Sequence, residues 1–143
     1  MSQDRKERYR WAVNEAVNKG NLDAMDKVFA ADYLHHRPPY PDMQGVEAYK
    51  QFFADTRISY PDAHITIDEL IIEGNTMAMR YTFTGTQTGT SPTTGAAPTG
   101  RQVTLTGCAI GRWEGDKVVE SWEHADWLGL LQQLGVIPKP GQV

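Results

Sequence analysis

The strongest constraint in this sequence is a single change of hydrophobic period. In the N-terminal part apolar residues recur at spacings of three and four, whereas from Ala63 onward they alternate with polar ones. Helices therefore come first and sheet second, and the helices must bury their apolar stripes on one face of that sheet. The expected fold class is α+β: a cone-shaped α+β barrel with N-terminal helices packed in a strongly curved antiparallel or mixed sheet. No linker or internal repeat interrupts the pattern, so residues 1–143 are expected to form one domain. A chain of this length buries roughly two thirds of the surface its extended form exposes, enough for one core without staples. A bent sheet wrapped around helices leaves room for one small-molecule pocket.

The helical part begins near Asp4, where Tyr9, Ala12, Val13, Ala16 and Val17 share a face. Gly20 supplies a stop and Asn21 an N-cap for a short second helix through Leu22, Met25, Val28 and Phe29. Residues 32–37 read as extended, and Pro38, Pro39 and Pro41 forbid a helix directly after them. A third helix begins near Gly45 with Val46, Tyr49, Phe52 and Phe53 inward. Two hairpins follow, one turning at Gly74–Asn75 and one at Gly115–Asp116. Between them residues 89–100, GTSPTTGAAPTG, read as a surface loop. Trp127, Leu128, Leu130, Leu131 and Leu134 make a short closing helix stopped by Gly135 and Pro138.

Charge and composition exclude several classes of function. Lys and Arg number 14 against 18 Asp and Glu, a net charge of −4, and no basic cluster is present. No nucleic acid partner is therefore expected. The single Cys108 rules out an intramolecular disulfide. The charged start MSQDRKERYR has no apolar h-region and no 18-residue apolar run occurs, so no membrane partner is expected and a cytoplasmic location is.

The last hairpin carries the chemistry. With Gly115 and Asp116 as turn residues, Trp113 pairs with Val118, Gly111 with Glu120, Ala109 with Trp122 and Gly107 with His124. One face then presents Val103, Leu105, Gly107, Ala109, Gly111 and Trp113 beside Glu120, Trp122, His124 and Asp126. Apolar lining interrupted by a few convergent polar groups describes a pocket wall. A single β-bulge would reverse that assignment. Asp126 has two opposed readings. In an apolar cavity it would be an acid/base group whose carboxyl is pushed up, whereas as N-cap of the closing helix it would be pushed down. Spacing alone favours the cap. Of the adjacent His35 and His36, one should face inward. Arg80 is a solvated or paired strand charge, or an inward anchor for an enolate or carboxylate. Phe53 and the tryptophans are core first and ligand-stacking surface second. His36, His124 and Asp126 could imitate a metal's ligand set, but their spacing fits no dedicated site and no metal is expected.

Four segments carry a family resemblance: FAADYLHHRPP (29–39), MRYTFTGTQTG (79–89), PTGRQVTLTG (98–107) and VVESWEHADWLGLLQQLGVIP (118–138). Together they make the chain resemble the SnoaL-like polyketide cyclases among the NTF2-like cone-shaped barrels. The resemblance implies a homodimer or higher homo-oligomer assembled through the outer face of the sheet. It also implies cofactor-independent intramolecular aldol ring closure of a hydrophobic, enolisable carbonyl compound. Asp126 matches the family's acid/base aspartate and His36 its recurring pocket histidine. The resemblance does not place His124, Glu120 or Arg80, which stay with the face argument; taken together, the two readings assign catalysis to Asp126, His36 and His124, and substrate binding to Trp122, Glu120, Arg80, Phe53, Leu105 and Trp113. Two alternatives stand beside it: a non-catalytic binder of a small hydrophobic molecule, and an isomerase or epoxide hydrolase using the same pocket.

Overall fold

A computed structural model describes residues 2–92 and 95–141. The chain runs α1 (Ser2–Val13), a π turn (Asn14–Asn18), a 3-10 segment (Leu22–Lys27), β1 (Phe29–Arg37), β2 (Tyr40–Gln44) and α2 (Val46–Ser59). It continues through β3 (His64–Glu73), β4 (Thr76–Thr86), β5 (Gln102–Glu114), β6 (Lys117–Ala125) and α3 (Trp127–Gln133). The six strands form one sheet in the order β2-β1-β6-β5-β4-β3. β1 lies parallel to β6 and every other pairing is antiparallel, so the sheet is mixed. Helices cover its concave face, the α+β plan expected from the change of period.

The predicted helical stripe is the buried one: Tyr9, Ala12, Val13, Ala16 and Val17 all lie in the core with Phe29, Tyr33, Val46 and Tyr49. Helix α1 begins at Ser2, ahead of Asp4. Gly20 ends the first helical unit at φ +78°, where a β-carbon would be strained. The second helical segment departs from expectation. It is 3-10, Asn21 makes no side-chain cap, and Phe29 already belongs to β1. The proline run was expected only to be non-helical, and it also carries the edge strand β2, where Pro41 lies in the stretch at which the register with β1 is irregular.

Both hairpins turn where predicted, with Glu73 opposite Thr76 and Glu114 opposite Lys117. In each turn only the glycine has positive φ, the II′ pattern. Arg5 ties α1 to both turns. Its guanidinium donates to Gly115 O at 2.6 Å and Gly74 O at 3.1 Å, with its Cζ 5.2 Å from the centre of the Trp113 ring. Residues 89–92 and 95–100 of the expected loop form no helix or strand, and Thr93 and Thr94 lie outside the described residues. No helix among the described residues is long and apolar enough to cross a membrane.

Candidate active site

One irregularity decides which side chains meet the cavity. From Gly107 to Arg112 the β5–β6 register runs Gly107–Ala125, Ala109–Glu123 and Gly111–Ser121, then slips so that Trp113 opposes Val118. Val119 is the extra residue of a β-bulge on β6. Because side chains alternate along a strand, one extra residue turns every later side chain of β6 to the other face. β5 keeps its predicted inward face, while β6 presents Ser121 and Glu123 inward and sends Glu120, Trp122 and His124 outward.

The inner face surrounds a cavity of about 180 Å³. Its wall is mostly apolar, with Val13, Met25, Phe52, Phe53, Met79 and Leu105 among its members. The alternation of β4 carries Met79, Tyr81 and Phe83 into it. At one side Glu123 brings a carboxylate into this apolar surround. His35 Nε2 lies 2.8 Å from Glu123 Oε1, and the Tyr81 hydroxyl donates to Oε2. His35 Nδ1 lies 2.7 Å from Tyr33 Oη, and the His35 ring stacks on Tyr49 at 4.8 Å. Tyr33 and His35 come from β1, Tyr49 from α2, Tyr81 from β4 and Glu123 from β6, so four elements converge.

With a proton on Nε2, His35 donates to Glu123, and its Nδ1 shares a hydrogen bond with the Tyr33 hydroxyl. Burial pushes the Glu123 carboxyl up, but the hydrogen bonds from His35 and Tyr81 and the nearby Arg37 charge outweigh it, holding the group below its ordinary value. Burial and the Glu123 charge push the Tyr81 phenol far above its ordinary value, so it remains a hydrogen-bond donor. Tyr33 and Tyr49 are likewise raised, chiefly by burial.

Gly107 is what admits Tyr81. A β-carbon there would stand 2.6 Å from Tyr81 Oη, so Gly107→Ala is expected to push the phenol off Glu123. Loss of that hydrogen bond should raise the Glu123 carboxyl, which carboxyl-carbon NMR reads directly. An unmoved resonance would show that Tyr81 does not control this carboxylate.

Most of the site residues expected from the sequence lie elsewhere. Asp126 is exposed and caps α3, its Oδ1 accepting from Gly129 N at 2.9 Å, so of its two readings the structure displays the cap geometry. His36 points outward, where its Nε2 meets Glu120 Oε2 at 2.7 Å and its ring stacks on Trp122 at 5.4 Å. The Glu120 hydrogen bond raises the His36 pKa, and His36 and Arg112 lower that of Glu120. His124 is exposed opposite Cys108, and Arg80 sits outside with Glu69 and Asp68. Glu120, Trp122 and His124 leave the pocket wall because of the bulge, and Arg80 because Met79 and Tyr81 take the inward positions. Trp113 faces inward as expected but is enclosed by core at 1% exposure, away from the cavity. Phe53 and Leu105 line the cavity. Among the described residues no three His, Cys, Asp or Glu side chains gather as a metal site.

Sequence reasoning left open which of His35 and His36 turns inward, and the structure turns His35. It missed Glu123, Tyr33 and Tyr81. For Tyr81 a signal existed in the alternation Met77, Met79, Tyr81, Phe83, which also sends Arg80 outward.

Comparison with known proteins places the chain and its fold among relatives. The SnoaL-like polyketide cyclase family matches residues 7–134. No curated protein matches the chain. Among solved structures, AclR from Streptomyces galilaeus, described as a candidate hydroxylase, is 25% identical with a TM-score of 0.81, covering 96% of this chain and 84% of its own. IdmH from Streptomyces antibioticus, a candidate polyketide cyclase, is 25% identical with a TM-score of 0.75, covering 92% and 98%. A protein of ketosteroid isomerase-like fold from Catenulispora acidiphila, 20% identical with a TM-score of 0.70 over 87% of this chain and 89% of its own, shares the fold.

Proposed function

Since the chain belongs to the SnoaL-like polyketide cyclase family, we propose that it catalyses a cofactor-independent intramolecular aldol closure with Glu123 as acid/base. The observation that carries this reading is Glu123, the one carboxylate among the described residues that lines the apolar cavity, held by His35 and Tyr81. Glu123 accepts a proton from carbon next to a carbonyl, and the resulting enolate carbon attacks a second carbonyl of the same molecule. The protonated Glu123 then returns that proton to the new alkoxide. The Tyr81 phenol, still protonated, can turn its O–H from Glu123 to the developing enolate oxygen. A carboxylate held below its ordinary pKa is a weak base, so the substrate C–H must be acidified, as between two carbonyls. The cavity volume, about 180 Å³, suits a compact apolar body.

A second reading keeps the base at Asp126, as the resemblance implies. It is favoured by the position of Asp126 at the start of α3, whose Trp127 and Leu130 line the cavity. Turnover of a compact β-keto ester bearing a second carbonyl separates the two readings. Glu123→Gln stops ring closure under the first, and Asp126→Asn stops it under the second.

Assembly as a homodimer through the outer sheet face is part of the same proposal. Ile71 pairs with Ala78, Ala78 with Ile110 and Ile110 with Trp122, which makes one apolar row across four strands. Ile71, Ile110 and Trp122 are 58%, 45% and 39% exposed. Ile110→Glu should convert a dimer to a monomer in sedimentation, and an unchanged mass would move the interface elsewhere.

A further inference from the structure

Two buried donors beside aromatic side chains of the cavity region have no acceptor among the described residues. Arg37 Nε and Trp127 Nε1 are both shielded from solvent and without a hydrogen-bond partner among the described residues. The Arg37 guanidinium carbon lies 4.5 Å from the centre of the Phe52 ring and 5.2 Å from that of Tyr40. Tyr40 in turn meets Trp127 edge-on at 5.2 Å. Phe52 and Trp127 both line the cavity. The two orphaned donors therefore flank one aromatic cluster at the cavity's border.

No acid among the described residues completes Arg37. Glu123 attracts it through space, but His35 and Tyr81 engage its two oxygens. Asp42, on the neighbouring strand, sits 3.1 Å from His36 Nδ1. Partial burial lowers the Arg37 pKa. Leaving a buried donor unmet is costly, and an oxyanion is the strongest acceptor a ligand can offer one.

We propose that Arg37 and the Trp127 indole N–H form an oxyanion site at the edge of the cavity, and that the ligand is a carboxylate with a compact apolar body. Charge fixes the ligand's orientation: its carboxylate is drawn to Arg37 and repelled by Glu123, so the apolar part enters the cavity. The inference rests on the reading of this cavity as the substrate site and narrows that substrate to an acid.

The test is binding of 2-naphthoate against methyl 2-naphthoate, read by calorimetry on the intact protein, with no turnover required. Naphthoate should bind about tenfold or more tightly than the ester, as a hydrogen-bonded charge pair would give. Arg37→Gln should erase that preference while leaving ester affinity unchanged, Arg37→Lys should keep part of it, and Trp127→Phe should weaken naphthoate more than ester. Retained ester affinity shows that a variant is folded, and the acid-to-ester ratio of the unaltered protein needs no variant. Equal binding of acid and ester, or equal loss of both in Arg37→Gln, overturns the oxyanion site and leaves catalysis by Glu123 standing. Failure of both ligands to bind the unaltered protein overturns the site together with the cavity reading.

Discussion

Glu123→Gln is expected to reduce ring closure by about 10²–10⁴-fold, the usual contribution of a positioned acid/base group. The amide matches the carboxylate in shape, so the cavity keeps its volume and ligand affinity changes little. The hydrogen bonding does change: an amide offers one acceptor oxygen, whereas His35 and Tyr81 both donate to Glu123. One of those donors loses its partner, at a cost of about 1–3 kcal/mol. Circular dichroism and calorimetric binding then separate lost chemistry from lost structure. Asp126→Asn is the matched control, because asparagine caps a helix as well as aspartate does. If Asp126→Asn abolishes turnover while Glu123→Gln turns over normally, the base is Asp126.

The same carboxylate sets an acid limit on activity and stability. Glu123 must be ionised to accept a proton, and it is held below its ordinary value, so turnover should persist as pH falls through the usual glutamate range and fail only beneath it. For stability, a carboxyl with a depressed folded-state pKa contributes fully above its unfolded value. That contribution is lost as pH falls through the folded value. In Glu123→Gln this part of the acid sensitivity should be absent from thermal melts.

Trp113→Ala should produce the largest loss of stability, about 3–5 kcal/mol, as expected for a large aromatic removed from a packed core. The ring is 1% exposed where β5 turns into the hairpin, and Arg5 lies over it. The alanine cavity would also loosen the anchor through which Arg5 holds α1 to both turns. Trp113→Phe should cost less, because the phenyl ring retains most of the buried area and Nε1 has no hydrogen-bond partner to lose among the described residues. Urea midpoints of the two variants make the comparison. Equal losses would mean that the indole N–H, and not ring volume, holds this corner.

What the sequence determined by itself is local. The stripe of Tyr9, Val13 and Val17, the glycine-led turns at 74 and 115, and the alternation of β4 each arise from neighbours a few residues apart. Their periodicity and dihedral demands do not depend on the rest of the molecule. The change of period at Ala63 therefore announced the layers, and the closing segment announced the family.

The site was decided at longer range. One unpaired residue, Val119, determines whether Glu120, Trp122 and His124 or Ser121 and Glu123 meet the cavity. Glu114–Lys117 pairing at the turn is compatible with either parity farther along the strand. β6 must pair with β5 on one side and run parallel to β1 on the other while Val118 and Trp113 stay in the core. Satisfying both neighbours places the bulge, and alternation then carries its effect to every later side chain. His35 is fixed by the same contacts, because its partners Tyr33, Tyr49 and Glu123 come from β1, α2 and β6 and meet only when the sheet has closed around the helices.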